Sequence, residues 1–416
     1  MILLARQRGA PPLDSLWAED GTVFLKEAIS SSGIVAVGAP YSGYLNLIPR
    51  ILGGVAAGLP LDLAPLVLSG GSALIASALS MYVYWASGTV LATRLGRVIV
   101  AGLMALAPWA IHEVANNATN LGWFLTYSTF WALAGRNRSR GGIIVSSIVV
   151  SAATLTTPVP LLLAPLAVWR IAVGRTPRER AVPFVYTVGL AVQVAAMFVA
   201  PDPVEALEFR PVEIAGGYVA RVAGMLPVGN RWLPEAWRLS GWWFAIIAVT
   251  VEVILLLRAA SKGDRNDRTL IIGTVGLSIV VFGSVVSGRG ISALLVPGGD
   301  AADLTGARYT FVPLLLLTSA VVVAFEVLCR SAGRGAGRIA ASVGLTVLTA
   351  LVFANLSFTR AGGPTWGTQL HRARERCAAG SPEVMRIPIT PVGAFVEVTC
   401  RQLAEEAASG PPIGDT

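Results

Sequence analysis

Long apolar runs separated by short polar turns fill the chain from about Leu63 to Phe358. A helix of about 20 apolar residues crosses the hydrocarbon core of a bilayer, so these runs predict membrane spans. We therefore expect an all-α polytopic membrane protein with about ten spans. The two runs that meet at Pro158 and Pro160 are either two spans or one kinked helix. The approximate limits are 63–86, 98–112, 120–135, 143–157, 158–173, 182–200, 241–258, 269–287, 308–328 and 339–358.

Basic residues are concentrated in the short loops on one side of this ten-span arrangement. Cytoplasmic loops carry an excess of arginine and lysine, so this side is predicted to be cytoplasmic. The five clusters are Arg94 and Arg97; Arg136, Arg138 and Arg140; Arg175, Arg178 and Arg180; Arg258, Lys262, Arg265 and Arg268; and Arg330, Arg334 and Arg338. The opposite side receives residues 1–62, the His112–Asn120 turn, the 201–240 and 288–307 loops and the tail after Phe358.

The chain is thus expected to divide into an extracytoplasmic first loop (1–62), a transmembrane domain (63–358) and a small extracytoplasmic tail (359–416). Nothing in the sequence carries the first loop across the membrane. We expect one further apolar helix upstream of Met1, which would make eleven spans, although a short N-terminal segment also translocates unaided. In the first loop, apolar side chains recur at helical spacing and predict an interfacial amphipathic helix. They are Tyr44, Ile48, Ile51, Leu52 and Val55.

The tail has a mixed, charged composition, and its pattern predicts strands around Val384–Ile389 and Ala394–Thr399. Cys377 and Cys400 flank this stretch. Disulfides persist outside the cytoplasm, so we expect these two cysteines to be bonded.

Composition strengthens the membrane assignment. Hydrophobic residues make up 54% of the chain and charged residues 13%, against about 25% charged in soluble domains. The net charge of +8 comes from the loop arginines, and basic stretches with interleaved aromatic residues are missing, so nucleic-acid binding is not expected. Three cysteines are too few for a thiolate metal site.

The most suggestive polar feature is the pair Glu19 and Asp20, which follows Trp17 and precedes the interfacial helix. Adjacent carboxylates at a membrane surface bind a divalent cation, or one acts as a general base while its neighbour tunes it. The alternative is a pair of solvated loop acids. The chain has only 24 acidic residues, which favours the functional interpretation here.

Two further groups are candidates for substrate binding. In the turn between the second and third spans, carboxylate and amide side chains suit sugar hydroxyls, although asparagine also caps helices routinely. These are His112, Glu113, Asn116, Asn117 and Asn120. Arg308 and Tyr309 begin the ninth span from the outer side, where a guanidinium either clamps a phosphate or extends to lipid headgroups. Arg50 and Arg289 are weaker candidates for the phosphate role, and Tyr44 is a further candidate for substrate binding. Glu326 and Arg330 are expected to form only an (i, i+4) pair.

Four stretches together resemble a known family. They are Trp17–Gly21 (WAEDG), Pro40–Arg50 (PYSGYLNLIPR), Glu113–Leu125 (EVANNATNLGWFL) and Gly306–Pro313 (GARYTFVP). Their order, with an acidic motif in the first outer loop, then interfacial helices, then many spans, is similar to the GT-C glycosyltransferases. These are integral membrane enzymes that take sugars from polyprenyl-phosphate donors. The helix that normally precedes the first loop is missing here.

The resemblance implies a function. Asp20 would be the base that deprotonates an extracytoplasmic glycan or lipid acceptor, in a single inverting displacement at the plasma membrane. Glu19, Glu113 or His112 would position the acceptor or a divalent cation, and Arg308 would hold the phosphate. The rival is a transporter or flippase of lipid-linked saccharide, and a third alternative is a catalytically silent relative. Transporters place their sites near the membrane midplane, whereas the polar residues here gather at the outer face.

Overall fold

The computed structural model describes residues 2–31, 36–136, 139–201, 210–289, 294, 306–360, 363–380 and 383–409. Most of the predicted outer loop 288–307, and Arg138 of one arginine cluster, lie outside these described residues. The described chain is mostly helical, as the apolar periodicity predicts, with two small sheets.

The helices are α1 (Ile2–Arg6), α2 (a π-helical segment, Asp20–Leu25, and Lys26–Ser30), α3 (Leu47–Ala57), α4 (Leu61–Ser87), α5 (Arg94–Leu106), α6 (Ile111–Val114), α7 (Leu121–Ala134), α8 (Arg140–Thr154), α9 (Val159–Val173), α10 (Pro177–Val199), α11 (Pro211–Tyr218 and a π-helical segment, Val219–Ala223), α12 (Gly229–Ser240), α13 (Trp242–Lys262), α14 (Arg265–Arg289), α15 (Arg308–Ser331), α16 (Arg334–Ala354), α17 (Trp366–Ala378) and α18 (Cys400–Ser409). The strands are β1 (Gln7–Gly9), β2 (Phe358–Arg360), β3 (Val384–Pro388) and β4 (Phe395–Thr399).

Six of the described helices are long and apolar enough to cross a membrane: α4, α10, α13, α14, α15 and α16. The other four predicted spans correspond to the shorter helices α5, α7, α8 and α9. Helix α7 has 14 residues and is therefore about 21 Å long, less than the ~30 Å of a bilayer core. At Pro158 the chain forms two helices, α8 and α9, rather than one kinked helix.

Helices α7 and α15 form the centre of the bundle. Every residue of α7 except Ala134 is buried, and α15 is buried over most of its length. Helices α13 and α16 lie at the periphery and expose apolar side chains such as Val251 and Val347. An apolar exposed surface on outer helices suits contact with lipid.

The arginine-rich loops meet at one end of the bundle. The backbone N–H of Arg136 donates to Thr89 Oγ1 at 3.1 Å, and Arg330 forms an ion pair of 2.7 Å with Asp267. Glu326 accepts hydrogen bonds from the N–H groups that precede α5. The expected pairing of Glu326 with Arg330 is therefore wrong, because each of them binds a different helix.

The opposite end joins the two termini of the helical region. Strand β1 pairs in parallel with β2, and the carbonyl of Arg360 approaches Gly9 so closely that a side chain there would collide with it. Gly9 also has a φ of +87°, which a residue without Cβ adopts at no steric cost. The first loop and the tail are consequently held side by side.

The tail is a small unit in which α17 and α18 pack on the β3–β4 hairpin. Its core continues into the first loop through side chains such as Leu16, Leu25 and Trp366. The predicted strands are confirmed, and so is the disulfide between Cys377 and Cys400, whose Cα atoms lie 5.4 Å apart. A helix is present where the sequence predicts one in the first loop, as α3, which exposes the apolar residues Ile51 and Val55.

Candidate functional site

The acidic motif of the first loop lies against the start of the central helix α7. Asp20 begins α2 and is only 1% exposed. Its Oδ2 accepts the N–H of Ala118 at 2.8 Å. Its Oδ1 accepts the N–H of Thr119 at 2.8 Å and the hydroxyl of the same residue at 2.6 Å. Asp20 thus satisfies two backbone donors of the turn that directly precedes α7.

Burial has the largest effect on the pKa of this carboxyl. It raises the pKa of Asp20 to about 6, while the hydrogen bonds from Thr119 and Ala118 oppose that rise and the negative charge of Glu19 adds to it. An ionised carboxylate offers about four lone-pair sites, of which three are occupied here. Asp20 therefore keeps one acceptor site, on Oδ2, and is mostly ionised at neutral pH.

Glu113, like Asp20, accepts hydrogen bonds from backbone N–H groups, in this case at the start of α15. Its Oε1 accepts the N–H of Gly306 at 3.2 Å, and its Oε2 accepts the N–H of Arg308 at 2.9 Å. A carboxylate is favourable at the positive end of a helix dipole. Glu113 therefore connects the His112–Asn120 turn, which it occupies, to the helix that carries the candidate arginine.

Arg308 and Tyr309 lie beside these acids. The guanidinium of Arg308 is 5.0 Å from the centre of the Tyr309 ring and donates to the Tyr309 hydroxyl at 3.2 Å. Arg308 also interacts electrostatically with Glu113 and Glu19. Trp123 packs edge-on against Tyr309, with ring centres 5.5 Å apart. The site thus combines a cation with an aromatic wall.

Glu19 is the least constrained acid of the group. Its Oε2 is shielded from solvent and has no hydrogen-bond partner among the described residues. An acceptor oxygen in this state gains a favourable contact from any donor that a ligand brings.

Arg360 from the tail completes the cluster, and the sequence analysis missed it. It is 3% exposed, and its guanidinium carbon lies 4.2 Å from the centre of the Trp17 ring. Its Nη2 donates to the carbonyl oxygens of His112 at 3.1 Å and Ala115 at 2.6 Å. Burial lowers the pKa of Arg360 to about 10, so the side chain stays charged at neutral pH. Only its place directly after the last span could have drawn attention to it.

The other polar residues of the His112–Asn120 turn form hydrogen bonds within the protein. His112 Nδ1 lies 3.3 Å from the Asn230 amide nitrogen. Asn116 has a φ of +53° and donates to the Leu3 carbonyl, and Asn120 donates to the Glu113 carbonyl while accepting from Trp123 Nε1. These contacts favour the alternative interpretation of the asparagines, as residues that form the turn and the helix start.

Arg50 and Tyr44 lie in a separate group on the first loop. Arg50 is 2% exposed, forms an ion pair of 2.8 Å with Glu27, and lies over the Phe24 ring. Tyr44 pairs through its backbone with Tyr41, where the chain turns into α3. The structure gives these two residues contacts of their own, apart from Arg308.

The carboxylates do not form a cation cage as they are arranged. Among the described residues, no three His, Cys, Asp or Glu side chains come together as metal ligands. The oxygens of Asp20 and Glu113 already accept backbone N–H groups, which leaves Glu19 with an uncommitted shielded oxygen.

The arrangement brings three acids and two arginines to one end of the bundle. Three of the four stretches that resemble the family contribute Glu19, Asp20, Glu113 and Arg308, the Pro40–Arg50 stretch lies apart, and the tail contributes Arg360. Such a site can accept a proton through a carboxylate and attract an anion through a guanidinium. Comparison of the chain with family models, curated proteins and solved structures gave no match.

Proposed function

We propose that this protein is a membrane glycosyltransferase of the GT-C type. It transfers one sugar from a polyprenyl-phosphate donor to an extracytoplasmic glycan or lipid acceptor. The observation that carries the proposal is the convergence of Glu19 and Asp20 with Glu113 and Arg308 at one end of a bundle of apolar helices. An acid and a cation are the two groups that this reaction needs from the protein.

In the proposed reaction, Asp20 accepts the proton of the acceptor hydroxyl as the hydroxyl oxygen attacks the anomeric carbon. The bond from that carbon to the phosphate oxygen breaks, and polyprenyl phosphate leaves with the bonding electrons. Arg308 stabilises the phosphate charge that develops, since guanidinium groups match phosphate oxygens in geometry. A single displacement inverts the anomeric carbon.

The position of Asp20 sets a condition on this reaction. Asp20 is only 1% exposed, so an acceptor hydroxyl reaches it only after the Trp17–Gly21 segment moves. The proposed cycle therefore includes movement of this segment and its closure around the substrate. Water is then kept away from the reacting groups. Glu19, with its unpartnered oxygen, is the carboxylate that orients the acceptor.

The finer topology belongs to the same proposal. The four shorter helices α5, α7, α8 and α9 complete a ten-span arrangement in the plasma membrane. The arginine-rich end faces the cytoplasm, and the first loop and the tail lie outside. The location of the candidate site at one end of the bundle favours an enzyme over a transporter of lipid-linked saccharide, because transporters bind their substrates near the membrane midplane.

The direct test uses the purified full-length protein in vesicles that contain a polyprenyl-phosphate sugar and a sugar-acceptor panel. Formation of a new glycosidic bond, detected by mass spectrometry of the acceptor, supports the proposal. Movement of the lipid-linked sugar between leaflets without a new bond identifies a transporter instead. Asp62→Asn is a matched control, because Asp62 is an exposed acid of the same first loop whose partner is Arg374.

A further inference from the structure

The tail contacts the Trp17–Gly21 segment from three directions. The guanidinium of Arg360 stacks on the Trp17 ring at 4.2 Å. The backbone of Thr390 bridges Trp17, since it accepts the N–H of Ala18 at 2.6 Å and donates to the carbonyl of Leu16 at 3.0 Å. Side chains from β4 and from the end of β3 then cover Gly21. The acidic pair thus lies between anchors that all come from the tail.

The contact at Gly21 explains the last residue of the WAEDG motif. A Cβ atom there would lie 2.5 Å from Ile389 Cδ1 and 2.9 Å from Val396 Cγ2. Both distances are shorter than carbon atoms tolerate. A glycine therefore lets the hairpin approach the residue directly after Asp20.

Arg360 joins this segment to the rest of the site. Its ring contact holds Trp17, and its two carbonyl contacts hold the turn of His112 and Ala115, which presents Glu113 to α15. Planar guanidinium geometry allows stacking and two hydrogen bonds at once, which an ammonium group does not reproduce. One side chain thus links Trp17, which precedes the acid pair, to the turn that contacts the helix carrying Arg308.

We propose that the C-terminal tail is a positioning element of the candidate site and that Arg360 is its central positioning residue. This inference rests on the proposed function only for its effect on sugar transfer; the positioning itself is independent of what the site does. Without the tail contacts, the Trp17–Gly21 segment is held at Asp20 by the hydrogen bonds from Ala118 and Thr119. The site is then incomplete, although the helical bundle persists.

The first measurement needs no substrate. Hydrogen exchange of the full-length protein in detergent reports the amides of Ala18 and Asp20, which are bonded to Thr390 and Trp17. In Arg360→Met, these two amides should exchange about ten-fold faster, because local opening becomes easier where an anchor is lost. The β3–β4 amides should keep their protection. Arg372→Met is the matched control, since Arg372 is an exposed arginine of the same tail.

Two further variants define the result. Trp17→Leu removes the stacking partner and should loosen the same amides, while Arg360→Lys keeps the charge and should restore little protection. Unchanged exchange at Ala18 in both Arg360→Met and Trp17→Leu overturns the proposal. So does full protection in Arg360→Lys with loss in Arg360→Met, because charge alone would then suffice. If Arg360→Met fails to fold, Trp17→Leu alone decides the question.

The second measurement is sugar transfer. Misplacement of a reacting group by about 1 Å costs up to about 10²-fold in rate, so Arg360→Met should lower kcat by that order. The KM for the donor should change less than about two-fold, since Arg308 is left in place. If the wild type transfers no sugar, the proposed function is refuted. If Arg360→Met nevertheless shows faster exchange, the positioning role stands. A loss of donor binding in place of kcat would refute the positioning role.

Discussion

Thr119 donates two hydrogen bonds to the same oxygen of Asp20, one from its N–H at 2.8 Å and one from its hydroxyl at 2.6 Å. The first loop is thereby attached to the turn directly before α7, of which every residue except Ala134 is buried. Because α7 is the centre of the bundle, this contact ties Asp20 to the core of the protein.

Asp20→Asn should abolish most sugar transfer while the protein stays folded. An amide cannot accept a proton, and general-base assistance contributes about 10² to 10⁴ in rate. The asparagine keeps one acceptor oxygen for Thr119 and loses the bond to Ala118, which costs about 1 kcal/mol of unfolding free energy. Transfer in vesicles and thermal unfolding in detergent measure the two effects. An Asp20→Asn protein that transfers at the wild-type rate excludes Asp20 as the base, with Asp62→Asn as the control.

Transfer should depend on pH with a midpoint near the Asp20 pKa. Burial raises that pKa to about 6, and a base acts only when ionised, so the rate should fall as the pH drops through about 6. Glu19→Gln should lower the midpoint, because the charge of Glu19 contributes to the rise. The measurement is kcat across pH 4.5 to 8, at about half-unit steps. A flat profile over this range would contradict the assignment.

Ionisation of Asp20 should also make the free energy of unfolding depend on pH, but in the direction opposite to the transfer rate. The unfolded carboxyl has a pKa near 3.8 and the folded one near 6, so the folded state binds more protons between these values. The contribution of Asp20 to the free energy of unfolding is therefore fully present below the unfolded value and is lost as the pH rises through about 6. Thermal unfolding of the wild type minus that of Asp20→Asn isolates the effect. A difference that grows with pH in favour of the wild type would be inconsistent with it.

Arg308→Ala should weaken donor binding. Hydrogen bonds to a charged group contribute roughly 1.5–3 kcal/mol, which corresponds to about 10- to 150-fold in the dissociation constant. Binding of undecaprenyl phosphate in nanodiscs, followed by native mass spectrometry, gives the value directly. Arg308→Lys should recover part of the affinity, and Arg238→Ala, on an arginine that is 70% exposed, should not change it. Equal binding by Arg308→Ala and the wild type would remove Arg308 from the phosphate site.

Reduction of the disulfide should loosen the tail. The bond joins residues separated by 23 positions, and closing such a loop stabilises a domain by about 3 kcal/mol in the chain-entropy model. In Cys377→Ser, exchange of the α17 and α18 amides should therefore accelerate, and Cys329→Ser is the control because Cys329 is a free cysteine in α15. Identical exchange in the two variants would mean that the apolar core of the tail suffices without the bond.

Local patterns were sufficient for much of this architecture. Apolar periodicity predicts the helices, including the first-loop helix Leu47–Ala57, and alternation predicts the tail hairpin. The acidic pair and Arg308 also stand out, since charged residues are rare in this chain. Each of these signals lies within a few neighbouring residues.

Contacts between residues that are far apart in the chain could not be predicted from local sequence patterns. Glu326 binds the backbone before α5 instead of its neighbour Arg330, and Glu113 binds the backbone at the start of α15. Both choices depend on which helix ends meet in space, and the sequence does not encode that locally. Arg360 was missed for the same reason, because its partners lie in the first loop and in the outer turn.

The pairing of β1 with β2 has a consequence for biosynthesis. Arg6 binds the carbonyl of Leu356, which is 350 positions later in the chain, and strand pairing begins directly after these two residues. A ribosome therefore finishes every apolar helix of the bundle before the first strand receives its partner. The acidic loop is translated before these helices, so it receives its contacts with the tail only after translation of the helical region is complete.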